Sequence, residues 1–119
     1  MRDHARHAKA VDAWLEKAAD ALTGVQFLIL ISTALDAVWA RTRVTLGEVT
    51  LTAIAQRVLH DVSARFPPFA SLMVEPDGIM FRELLERGGT IRESEAREGG
   101  RFLLVELLSV LGNLTAEIL

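Results

Sequence analysis

His60 and Asp61 are the pair in this chain best suited to chemistry. In a helix through this stretch His60 falls on the polar face, one turn beyond Gln56 and Arg57. An imidazole at mid-helix is open to an incoming phosphoryl group, and a neighbouring carboxylate can orient or deprotonate it. His4 and His7, one turn apart and close to Asp3, are a second polar group. Zinc takes three or four protein ligands in ordered geometry, so this set is incomplete and no metal site is expected. A third group is a polar stripe of Glu106, Ser109, Asn113 and Glu117, with Asp36 on a similar strip earlier in the chain. Buried together, these carboxylates could hold an ion or push each other's pKa values apart. The structural alternative is a solvent-facing edge or a register-fixing contact between helices.

Leu59-His60-Asp61-Val62 resembles, over these residues, the H-box of histidine kinases and phosphotransfer proteins. The resemblance implies His60 as phosphoacceptor and a kinase or response regulator as partner. The proline that commonly follows a kinase H-box comes late, at Pro67. Gly88-Gly89 and Gly99-Gly100 lack the lysine and spacing of a P-loop and the strand-to-helix setting of a dinucleotide fold, so they read as helix stops and no cofactor is expected. With no Cys, thiolate metal sites, disulfides and cysteine nucleophiles are excluded.

The elements that must position these groups are helical. Asp3 to Leu22 is amphipathic, with Ala8, Val11, Leu15, Ala18 and Leu22 on one face and Trp14 beside them. Thr23-Gly24 marks a break, and a second helix from Val25 to about Arg43 is apolar on most of its circumference. Thr45 and Glu48 have capping-box spacing, which predicts a third helix from near Leu46 to about Arg65, stopped by Pro67-Pro68. Leu72 and Val74 then alternate with polar neighbours before Pro76-Asp77-Gly78, the pattern of a short β-hairpin over residues 70–81. The competing reading has Asp77 cap a helix from Ile79 to Arg87, and a strand stub leading into a short helix would reconcile the two. A last helix starts near Arg92 on Thr90 and Glu93, or on Ser94. It should kink or break at Gly99-Gly100, because each glycine costs a helix interior about 1 kcal/mol.

Composition limits the setting. At 119 residues the chain has room for one domain, burying about two-thirds of its unfolded surface. Half of the residues are hydrophobic, and mean hydropathy is +0.28. Thirteen Lys and Arg are interspersed with sixteen acids, without the basic footprint of a phosphate-backbone binder, so nucleic acid is not an expected partner. Met1 to Asp20 is polar and amphipathic rather than a signal peptide, which makes the cytoplasm the expected compartment. Val25 to Ala40 falls short of the roughly 20 apolar residues of a span and contains Gln26, Ser32, Thr33 and Asp36, so no membrane span is expected.

Arg101 to Leu119 is apolar nearly all round, so it must be covered on several sides. The sequence therefore predicts one mainly α domain over 1–119, a compact four-helix-type bundle with the second and last helices at its centre. It further predicts a homodimer through Leu103, Leu107, Ser109, Val110, Gly112, Leu114 and Ala116, where the small residues permit close helix approach. The expected function is a non-enzymatic interaction or sensory module of a bacterial-type signalling or regulatory system, working by dimerisation and docking of a protein partner. Two alternatives stand beside it: phosphotransfer through His60, and sensing of a small apolar ligand in a pocket lined by Phe27, Ile31, Trp39, Phe102 and Leu108.

Overall fold

A computed structural model describes residues 8–14, 22–87 and 90–118, with side chains through residue 112. Residues 8–14 are helical and are called α1. There follow α2 (Gly24–Leu46), α3 (Glu48–Arg65), a 3-10 turn (Pro67–Ser71), β1 (Met73–Glu75), β2 (Gly78–Met80), α4 (Arg82–Glu86) and α5 (Glu93–Ile118). The chain is mainly helical with one two-stranded antiparallel hairpin.

Helix α2 starts on a capping box: Gln26 N–H donates to Thr23 Oγ1 at 3.2 Å, and Thr23 N–H donates to Gln26 Oε1 at 3.0 Å. Two of the orphan donors of a helix start are thereby satisfied. The box expected at Thr45 and Glu48 does not form, because α2 continues through Thr45 to Leu46. The break falls at Gly47, whose φ of 84° is a conformation that side chains with a Cβ rarely adopt. Gly47 serves both helices, donating to Arg43 O and accepting from Leu51 N–H.

Prolines end α3 as expected. Phe66, before Pro67, is extended at φ −128° and ψ 85°. The 3-10 turn that follows drives Phe69 into the core, where it is 1% exposed.

The hairpin pairs Met73 with Met80, Val74 with Ile79 and Glu75 with Gly78. Pro76 holds the first turn position at negative φ, so the primed turns usual in two-residue hairpins are closed to it. The reversal is taken up at Gly78, φ 145°. The Trp39 indole N–H donates to Pro76 O at 3.1 Å and Arg43 lies 3.7 Å from Asp77, which fixes the hairpin to α2. Both readings of residues 70–81 are partly realised, since the helix begins at Arg82, with Phe81 rather than Asp77 at its cap.

Helix α5 overturns the expected break. Gly99 and Gly100 lie inside a continuous helix and are buried. A Cβ on Gly99 would stand 2.3 Å from Phe69, and one on Gly100 would stand 2.9 Å from Phe27 and 3.2 Å from Ile31. The glycines let two aromatic rings rest on the helix backbone, and that packing outweighs their helix cost. Thr90, expected to cap α5, instead donates its hydroxyl to Arg87 O.

Helix α5 packs most extensively on α2, then on α3, and α2 also meets α3 and β2. Helix α1 is tied to α5 by a two-pronged contact, Arg101 Nε to Asp12 Oδ1 at 2.6 Å and Nη2 to Oδ2 at 3.0 Å. Arg97 of α5 donates to Leu22 O and lies 5.3 Å from the centre of the Phe27 ring.

Candidate functional site

His60 and Asp61 are both exposed on α3, and His60 sits within the helix rather than at its end. The neighbouring Ser63 donates to the His60 carbonyl, which leaves the imidazole unengaged by that contact. The steric requirement for phosphoryl access is met, while the surroundings supply no further catalytic group: Gln56, Arg57 and Ala64 are simply exposed. No group of three or more His, Asp or Glu residues able to hold a metal occurs among the described residues. His4, His7 and Asp3 lie outside them.

The acidic stripe does not form one buried cluster. Asp36 is exposed on α2, Glu106 is half-buried and Ser109 is buried on α5. The side chains of Asn113 and Glu117 lie outside the described residues. Among the described residues the carboxylate with a displaced pKa is Asp12, which the Arg101 hydrogen bonds hold below the usual carboxylate value despite some desolvation. Arg101 is raised by the same contact.

The residues expected at a dimer interface divide into two groups. Leu103 and Leu107 are 0% and 1% exposed, and Ser109 is buried with them, so within one chain they are core. Val110 and Gly112 are half-buried, and the side chains of Leu114 and Ala116 lie outside the described residues. Among its described side chains, helix α5 thus spends most of its apolar surface inside the chain.

The five residues expected to line an apolar pocket do not converge. Phe27 and Ile31 pack against Gly100, Trp39 turns to the hairpin, and Phe102 stacks near Phe66 (6.0 Å between ring centres) under the Arg65 guanidinium. An open apolar hollow of about 210 Å³ lies elsewhere, between α1, α2 and α5, lined by Val11, Trp14, Ala34, Val38, Leu104 and Leu108 among others. Trp14 at 37% exposure is among the exposed large side chains of the chain.

Sequence reasoning missed the outer face of α2. Gln26, Ile29, Thr33, Asp36, Ala37, Ala40, Arg41 and Val44 are all exposed, and Leu30, Ala34 and Val38 beside them are half-buried. By length and composition α2 is apolar enough to cross a membrane: its most apolar 18-residue window has mean hydropathy 1.3, yet only 28% of that window is buried. The signal was present in the order of residues, since the apolar positions on this side recur every three and four residues. It was hidden because the opposite side is apolar as well. No family model, curated protein or solved structure matches the chain.

Proposed function

We propose that the chain is a non-enzymatic interaction module, a single helical domain whose work is self-association and docking of a protein partner, of the kind used in signalling or regulation. In this reading α1, α2, α3 and α5 act together as a four-helix-type bundle, with α1 held by the Asp12–Arg101 contact. The observation that carries the proposal is the uncovered side of α2. On that side Ile29 and Val44 are 49% and 87% exposed, and Ala37 and Ala40 between them are exposed, an apolar line that a second surface could cover.

Light scattering across a concentration series tests it. Molar mass should rise from 13.1 kDa towards twice that value. A constant 13.1 kDa at every concentration contradicts self-association.

A second reading has one specific observation in its favour, the exposure of His60 on α3. Under it, His60 accepts phosphate from a kinase or response regulator. Phosphate incorporation from a small-molecule phosphodonor, lost in His60→Gln, would support it, and equal incorporation in both proteins would remove it.

A further inference from the structure

Five positions on the outer side of α2, Leu30, Thr33, Ala37, Ala40 and Val44, recur at the alternating three- and four-residue spacing of a coiled-coil seam. Four of the five are exposed and Leu30 is half-buried, so the seam is open along two heptads. Thr33 is the polar member, but its hydroxyl donates to Ile29 O at 3.0 Å within the same helix, so it can be covered without losing a partner. Ala37 and Ala40 at the middle allow two helices to come close.

The flanking charges identify the occupant. Asp36 lies on one edge of this seam and Arg41 on the other, and neither makes an ion pair among the described residues. Five residues apart, they point about 140° away from each other around the helix and cannot meet within one chain. In a parallel pair of helices, the residue on one edge of the seam meets the opposite edge of the partner one heptad on, which is the Asp36-to-Arg41 relation. An antiparallel pair would bring Asp36 to the edge carrying Arg43, which is already engaged by Asp77 and Glu48.

We infer that α2 is the self-association surface of this protein: two copies join through a parallel seam of Leu30, Thr33, Ala37, Ala40 and Val44, closed on each side by an Asp36–Arg41 pair. This rests on the self-association reading above and moves its interface from α5 to α2. A lipid surface is the competing occupant of so apolar a helix, but its phosphate headgroups would pair with Arg41 and repel Asp36 on the other edge of the same seam. A second copy of the chain supplies the counter-charge for each. The seam is short and rich in alanine, so the dimer is expected to be weak and concentration-dependent.

The test is sedimentation equilibrium on five proteins: the unchanged chain, Asp36→Arg, Arg41→Asp, the two changes combined, and Ala40→Glu. All changes are at exposed positions, and thermal unfolding checks that each variant folds. Each single change sets like charges together twice per dimer and should weaken association roughly tenfold at low salt. The combined variant should recover most of that loss, and the differences should shrink in 0.5 M salt as screening shortens to within a few ångströms. Ala40→Glu, at the seam centre, should weaken association more than either swap. A dimer indifferent to all these changes overturns the α2 seam while leaving self-association standing. A monomer at every concentration overturns both. Co-sedimentation of the unchanged chain with vesicles of mixed neutral and anionic phospholipid, without dimer formation, overturns the seam in favour of a lipid surface.

Discussion

Helices α2 and α5 are alike in sequence and opposite in use. Both are apolar around most of their circumference. Helix α5 turns Leu103, Leu104, Val105, Leu107 and Leu111 inward and is covered by α2 and α3, with Phe69 resting on Gly99 and Phe27 on Gly100. Helix α2 buries Phe27, Leu28, Ile31, Leu35 and Trp39, and leaves its other side open. An all-apolar helix is therefore not by itself a sign of an interface. What separates the two is how many sides the chain has elements to cover, and here α5 receives the cover.

Core truncation should separate the helices most sharply. Leu103→Ala removes a fully buried side chain and should cost about 2–5 kcal/mol in urea unfolding. Val44→Ala, at a position 87% exposed, should stay within about 0.5 kcal/mol in solution dilute enough to dissociate the proposed dimer. Comparable losses at both positions would break the contrast.

The glycine pair comes next. Gly99→Ala should destabilise by about 1–3 kcal/mol even though alanine is the better helix former, because the added methyl meets the Phe69 ring. Phe69→Leu in that background should recover part of the loss, a non-additivity expected of residues in direct contact. A stabilising Gly99→Ala would restore the reading of Gly99-Gly100 as a weak point in the helix.

That pair also shows what was legible in the sequence and what was not. Helical class, the stop at Pro67-Pro68 and the hairpin at Pro76-Asp77-Gly78 followed from local chemistry, because proline and turn residues act within a few positions of themselves. The role of Gly99 depends on Phe69 and that of Gly100 on Phe27 and Ile31, all distant in the chain, and no local rule carries that. Thr45 and Glu48 had the right spacing for a cap, but the turn needed positive φ, and Gly47 two residues later supplied it. Thr23 and Gln26 held the same signal and do form the box. At the candidate site, His60 was found from its own helix face, since exposure of one side of an amphipathic helix is readable from its period. The exposed line on α2 was not, because its three- and four-residue spacing is masked when the opposite side of the helix is apolar as well.

Smaller effects sharpen the ends of the two helices. Thr23→Ala removes the acceptor at the start of α2 and should cost about 1 kcal/mol in urea unfolding. An unchanged midpoint would mean that solvent replaces the cap without penalty.

The smallest effect concerns acid. Asp12 has a carboxyl pKa held down in the folded chain by Arg101, so its contribution is present above the ordinary carboxylate value and is lost as pH falls through the lowered one. Both side chains are substantially exposed, so screening limits the contribution to about 1 kcal/mol or less. Stability measured from pH 5 downward should therefore fall less steeply in Asp12→Asn than in the unchanged chain. Identical slopes would show that the contact between α1 and α5 contributes nothing.

The open side of α2 as a self-association surface is tested most directly by cross-linking, because the chain contains no cysteine to confuse the result. Ala40→Cys places one thiol at the centre of the seam, beside its own copy across a parallel pair. Ala53→Cys, exposed on α3, is the control. Under mild oxidation Ala40→Cys should form a covalent dimer rapidly and Ala53→Cys only slowly. Equal rates for the two, or no covalent dimer from Ala40→Cys at concentrations where light scattering shows association, would contradict the account.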